Sequence, residues 1–187
     1  MKNRTRSIVL FLALVLMALP ATAQIAKTGS TTTLKDALKV MLQDQGAAGL
    51  KKLTVNVSGD QAKGLTGKHG VDTEGSYTVY NGTKADGSVM GTVVVVNQAG
   101  KEGPLQVLVA LRPDGTVYDL GFTVFGEDKG KPALNWSFLK QFVGKKVTQP
   151  VKIGEDVDGI SGATWTSTSV ATAVKRALAV FKEFITA

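Results

Sequence analysis

VMGTVVVVNQAGKEGPLQVLVALRPDGTVYDLGFTVF, residues 89–125, holds three strand-like runs in close succession. Val89 to Val96 is mostly β-branched, Leu105 to Leu111 is an apolar run, and Thr116 to Phe125 is rich in β-branched and aromatic residues, all types that fit a pleated surface. Between the last two runs stands Pro113-Asp114-Gly115. Proline presets φ, aspartate hydrogen-bonds its own backbone and glycine accepts positive φ, so the segment reads as a tight turn closing an antiparallel hairpin.

Upstream, Ser76 to Tyr80 reads as a further strand, Gly64 to Gly75 as a glycine-rich surface loop, and Leu53 to Val57 alternates like a half-buried strand. Leu34, Leu38, Met41 and Leu42 have helical spacing, with Thr33 as N-cap and Asp36 at its third position, so a helix is expected from Leu34 to Gln45. Downstream, Asn135 marks the start of a short helix, Trp136 to Val143, followed by Gly144. Trp136, Phe138 and Phe142 are read as its core face. A long amphipathic helix is expected from Ser167 to Ile185, with Val170, Val174, Ala177, Leu178, Phe181 and Ile185 inward and Lys175, Arg176, Lys182 and Glu183 outward. Strands grouped centrally between helices imply an α+β domain, an antiparallel sheet covered by helices.

The first 23 residues have a different character. Lys2, Arg4 and Arg6 precede an apolar run from Ile8 to Leu19, then Pro20 and Ala21-Thr22-Ala23. That order is a Sec-type secretory signal, with cleavage expected after Ala23 and an extracytoplasmic, periplasmic destination. Thr5 separates the two arginines and no cysteine comes after the apolar run to accept a lipid. The chain thus divides into a signal peptide (1–23), an N-terminal helix, strand and loop extension (24–75) and a main domain (76–187).

The 187 residues carry a net charge of +7, of which three charges lie in the leader, leaving +4. The lysines are interleaved with acids and form no basic block, which argues against nucleic-acid binding. There is no cysteine, so thiolate metal sites and covalent haem attachment are excluded, and the single histidine, His69, leaves a multi-histidine metal site no second ligand and gives little support to a His-based triad. The Gly64–Gly70 segment lacks the spacing of a phosphate loop. Glu155, Asp156 and Asp158 read as a solvated approach to a glycine-rich turn.

That turn carries the chemistry: Asp158-Gly159-Ile160-Ser161-Gly162-Ala163-Thr164, with Trp165, Thr166 and Ser167 after it at the entrance of the last helix. Small residues let the backbone approach another group closely. A helix N-terminus presents unpaired N–H groups to an anion, and Thr164, Thr166 and Ser167 add hydroxyls. From the residues alone this is either a phosphate site or a hydroxyl-rich helix cap.

The run resembles the Asp-x-x-(Ser/Thr)-Gly-Ala-Thr flavinylation motif of FMN-binding domains, as in the C subunit of sodium-translocating NADH:quinone reductase and the G subunit of the Rnf complex. Gly103-Pro104, the apolar strand after it and the Asp114-Gly115 turn resemble a second segment of that family. Where the family often has Glu-Thr-Pro-Gly, this chain has Glu127-Asp128-Lys129-Gly130. The resemblance spans about Tyr77 to Ala187.

It implies FMN as cofactor, donated from FAD by an FMN transferase and esterified through its phosphate to Thr164. Ser161, Gly162, Ala163, Trp165, Thr166, Asp158 and Glu127 are the implied surroundings. Gly162 and Ala163 would clear space around the phosphodiester. Trp165 either covers a flavin face or is a plain anchor, and Asp158 caps the turn's N–H groups, is read by the transferase or briefly bridges a metal during transfer. No catalytic or metal-ligating side chain is expected. The implied function is an exported electron carrier whose partners are a membrane quinone- or NADH-linked module, another flavoprotein or a multihaem cytochrome. Direct reduction of a small substrate and a non-redox assembly role stand as alternatives.

Overall fold

The computed structural model describes residues 24–185, so the leader, and with it the cleavage reading, lies outside the described residues. Five strands form one antiparallel sheet in sequence order: β1 (Gly49–Val57), β2 (Gly75–Thr83), β3 (Val89–Ala99), β4 (Pro104–Leu111) and β5 (Val117–Phe125). The β4–β5 hairpin forms as its sequence requires, with Val109 opposite Leu120 and the Asp114-Gly115 turn between, where Gly115 takes φ 78°.

The valine run of β3 shows how the sheet is covered. Successive side chains of a strand point to opposite faces. Val94 and Val96 join a cluster with the long helix α4 (Thr164–Phe184), while Val93 and Val95 join one with Ile25 and the first helix α1 (Leu34–Leu38). All four are buried, which explains why β3 reads as an unbroken apolar run rather than an alternation. Burying each such side chain contributes roughly 1.5–3 kcal/mol.

Thr33 caps α1, its hydroxyl oxygen accepting from Asp36 N at 3.1 Å. The helix continues as a π turn over Lys39–Gln43, where Asp44 N donates to Lys39 O at 2.8 Å. The short helix α3 (Trp136–Leu139) continues as a 3₁₀ turn through Phe142, and Phe138 and Phe142 pack edge to face in the core, their ring centres 5.3 Å apart. Trp136 is only partly buried, with the Lys27 ammonium 5.4 Å from its ring.

Three expectations change. The first half of the segment read as a loop from Gly64 to Gly75 is helix: α2 runs Gly59–His69 and ends at Gly70 in the left-handed conformation. Its glycines disguised it, each costing about 1 kcal/mol relative to alanine in a helix. Tertiary contacts offset that cost: Ala62 is buried, and His69 Nε2 lies 3.0 Å from Glu183 Oε1 on α4. The last helix begins at Thr164, three residues before its expected start. Lys175, expected on its outer face, is buried and donates to Val147 O at 2.7 Å and to Gln149 O. Those carbonyls belong to an irregular segment lying over the helix, so its polar covering decides which positions are inside.

Among the described residues, no helix is long and apolar enough to cross a membrane, and no group of three or more metal-ligating side chains comes together.

Candidate functional site

The segment between α3 and α4 is held down before it reaches the Asp158–Thr164 turn. Lys145, buried, donates to Asp156 Oδ2 at 2.8 Å and Asp156 O at 2.9 Å, and Asp156 Oδ1 accepts from Lys152 N at 2.8 Å. Burial works to raise the Asp156 pKa, and these bonds overcome it, leaving the carboxyl below its ordinary range. Asp156 is therefore structural, a correction to its reading as part of a solvated acidic cluster, while Glu155 makes a 3.5 Å ion pair with Lys152. For Asp158 the structure bears on the capping reading alone. Its backbone is gripped by Gln141, whose Oε1 accepts from Asp158 N at 2.8 Å and whose Nε2 donates to Asp158 O at 3.2 Å. Its carboxylate is exposed and caps no N–H group among the described residues.

From Asp158 the chain turns into α4. Ala163 N donates to Ile160 O at 2.9 Å, Gly162 takes φ 79°, and Ser161 and Gly162 are exposed while Ala163 is buried. Ala163 occupies the N-cap position and has no side chain able to cap. Ser167 N donates to Ala163 O at 2.9 Å, which makes it the first backbone donor satisfied within the helix. The N–H groups of Thr164, Trp165 and Thr166 precede it at the positive end of a 21-residue helix with no acidic residue in its first turn.

The sequence groups three hydroxyls, and the structure separates them. Thr166 is buried and donates to Glu127 Oε2 at 2.7 Å. Ser167 Oγ donates to Ala163 O at 2.9 Å and accepts from Ile160 N at 3.1 Å. Thr164 alone of the three is exposed, and its hydroxyl makes no hydrogen bond among the described residues. Trp165 beside it is 62% exposed. Both border a groove of about 430 Å³ lined also by Thr168, Ser169 and Thr172 of α4 and by Gln98 and Ala99 of β3.

Glu127 lies beneath this turn, facing away from solvent. Its Oε1 accepts from Glu102 N at 2.8 Å and Gly103 N at 3.4 Å, and Glu102 Oε2 in return accepts from Asp128 N at 2.7 Å and Lys129 N at 3.2 Å. Burial raises the Glu127 pKa, but the bonds from Thr166, Glu102 and Gly103 outweigh it and leave the carboxyl lowered. Glu102, Gln141 and Lys145 carry no sequence signal of their own; each is a polar residue whose partner lies 11 or more positions away.

An FMN-binding domain family model matches residues 100–179, the span from the Glu102 loop through most of α4. The G subunit of an ion-translocating oxidoreductase complex from Methanosarcina acetivorans is 32% identical over 173 residues, covering 88% of this chain and 89% of that protein. The chain belongs to the FMN-binding domain family. The fold is shared with NqrC from Shewanella oneidensis, at 20% identity and a TM-score of 0.50 over 76% of this chain and 85% of that one. The C subunit of the Na(+)-translocating NADH-quinone reductase from Parabacteroides distasonis aligns at 25% identity and a TM-score of 0.47, over 73% and 78% respectively.

The residues present suit the flavin nucleotide of an FMN-binding domain. An uncapped helix N-terminus offers N–H donors and a positive dipole end to a phosphate. One exposed hydroxyl stands on the helix's first residue, and an open groove begins beside it.

Proposed function

We propose that this chain is a covalent flavoprotein that carries FMN on Thr164 and relays electrons outside the cytoplasm. The observation that carries the reading is the selective exposure of Thr164: it ends the Asp158–Thr164 run, and its hydroxyl is free while Thr166 and Ser167 are committed to Glu127 and Ala163. In the attachment, Thr164 Oγ forms a bond to the phosphorus of the FMN half of FAD, the diphosphate P–O bond breaks and AMP leaves. The hydroxyl proton departs, and no electrons change hands. An external FMN transferase supplies the acid–base chemistry, in keeping with a turn that holds no histidine or cysteine.

Bound FMN supplies the electron storage. The chain's own residues supply the rest. The first N–H groups of α4 neutralise phosphate charge, the bonds of Gln141 and Ser167 fix the turn, and the groove beside Trp165 is within reach of a flavin anchored at Thr164. The relative from Methanosarcina acetivorans, part of an ion-translocating oxidoreductase complex, supports the relay role. The partners are then a membrane quinone- or NADH-linked module as donor, and a flavoprotein or multihaem cytochrome as acceptor. The leader at residues 1–23 supports export, to the periplasm or an equivalent compartment.

Intact mass of the protein, exported alongside an active FMN transferase, tests the attachment. The expected increment is one FMN less water, absent in Thr164→Val. An unmodified chain, or an increment that survives Thr164→Val, overturns the reading.

A further inference from the structure

The carboxylate of Glu127 joins three segments that are distant in sequence. Oε2 takes the Thr166 hydroxyl from the first turn of α4, Oε1 takes two N–H groups from the 102–103 loop, and its own loop is tied back by Glu102. Each glutamate accepts from the backbone beside the other, so neither loop can shift without breaking bonds at both ends.

The glycines around this bracket show how closely it is built. A β-carbon on Gly100 would lie 2.2 Å from Glu127 Oε1, one on Gly126 2.8 Å from Gly103 Cα, and one on Gly130 2.4 Å from Thr166 Oγ1. Real β-carbons do not approach other atoms this closely, so the segments are packed backbone to side chain around one carboxylate. No other acidic side chain in the described residues accepts a hydrogen bond from α4's first turn.

We propose that Glu127 is a positioning residue for flavin attachment: through Thr166 it holds the first turn of α4, and with it Thr164 Oγ, in the orientation from which the hydroxyl attacks phosphorus. Thr166 is two residues from Thr164 on the same turn, so a bond that fixes its rotamer and backbone fixes the approach of the Thr164 hydroxyl. Glu127 itself touches neither reacting atom. This inference rests on the attachment reading above and deepens it. It moves Glu127 and Thr166 from contacts of the cofactor to supports of the residue that receives it.

The test combines attachment kinetics with a measurement on the flavin-free protein. Purified chain, FAD and FMN transferase are mixed, and the modified fraction of folded protein is followed by intact mass for wild type, Glu127→Ala, Glu127→Gln, Thr166→Val and Thr166→Ser. Glu127→Ala and Thr166→Val should lower kcat for attachment about tenfold or more with KM for FAD unchanged, since misplacing a reacting group acts on the bound complex. Glu127→Gln keeps a bridging amide and should fall between them and wild type, and Thr166→Ser keeps the hydroxyl and should stay within about twofold of wild type.

Trp165 gives the second readout. With Trp136→Phe in the background it is the sole tryptophan, and its fluorescence anisotropy in the flavin-free chain should fall in the two slow variants and hold in Thr166→Ser. Folded Glu127→Ala and Thr166→Val proteins with wild-type kcat and anisotropy would overturn the positioning role. Failure of the attachment reading is told apart because it appears in the unaltered chain, as no increment, or in Thr164→Val, as an increment that survives.

Discussion

The side-chain amide of Gln141 pairs with the backbone of Asp158 in both directions, accepting from Asp158 N at 2.8 Å and donating to Asp158 O at 3.2 Å. It ties the end of the α3 region to the residue that opens the attachment turn, 17 positions away. A typical intramolecular hydrogen bond contributes about 0.5–1.5 kcal/mol net. Gln141→Ala should therefore cost about 1–2 kcal/mol in urea unfolding. Gln141→Glu should cost more above about pH 6, because one carboxylate oxygen then faces the Asp158 carbonyl oxygen. Equal stability of the two variants at neutral pH would show that the paired geometry does not persist in solution.

Thr164 should be separable from folding. It is exposed, its hydroxyl bonds to nothing among the described residues, and surface changes of this kind usually shift stability by less than about 0.5 kcal/mol. Thr164→Val should melt with the flavin-free wild type, whereas Thr166→Val should melt clearly lower, since it strips the Glu127 carboxylate of a buried partner. Calorimetry on the flavin-free proteins checks both. A large destabilisation by Thr164→Val would mean that the threonine has a structural role.

Asp119 on β5 sets a pH signature. Its buried carboxylate accepts from Ile25 N at 2.7 Å and Ala26 N at 3.0 Å, docking the segment around these residues onto the sheet. Burial raises its pKa to about 6, outweighing the lowering by the N–H groups of Ala26, Ile25 and Leu120. A folded pKa above the unfolded one means that the native state holds the proton more tightly. This group's favourable contribution is thus fully present below about pH 4 and is lost as pH rises through about 6, by up to about 3 kcal/mol. Carboxyls lowered by their partners, such as Glu183 and Asp156, act in the opposite direction, so the signal is the difference between wild type and Asp119→Asn. That difference should move against wild type between pH 4 and 7; a flat difference would refute the assignment.

Glycine replacements should divide by environment. A β-carbon on Gly64 or Gly67 of α2 meets no atom within 4 Å, and neither residue has positive φ. Alanine there should raise stability by about 0.5–1 kcal/mol per site through helix propensity and the unfolded chain's entropy. Gly130→Ala should lower it by about 1–3 kcal/mol, because the new methyl collides with Thr166 and with Glu127 Cβ 2.8 Å away. Denaturation midpoints give the sign in each case. A destabilising Gly64→Ala would argue against α2 as a helix in solution.

The sheet is legible in the sequence because strand signals are local. The β-branched run of β3, the Asp114-Gly115 turn and the alternation at Leu53–Val57 each report their state without reference to distant residues. Helix α2 is not, since Gly59, Gly64 and Gly67 lower its intrinsic propensity and its anchor, Glu183, lies on α4. Lys175 is misread for a related reason. A hydrophobicity pattern assigns lysine to solvent, and nothing in it shows that two carbonyls from the 147–149 segment wait to receive the ammonium.

At the site, the sequence supplies the resemblance to the family, the hydroxyl at Thr164 and the small residues around it, because a motif is nothing more than residue types at fixed spacing. Which hydroxyl is free is a property of the folded chain. Thr164, Thr166 and Ser167 look equivalent in the sequence, but a helix turns about 100° per residue, so neighbours face different surroundings. Thr166 meets the buried Glu127, Ser167 folds back on Ala163, and Thr164 faces outward. The same holds for Glu102 and Glu127, whose exchange of backbone bonds requires two loops 25 residues apart in the chain to be brought together by the β4–β5 hairpin.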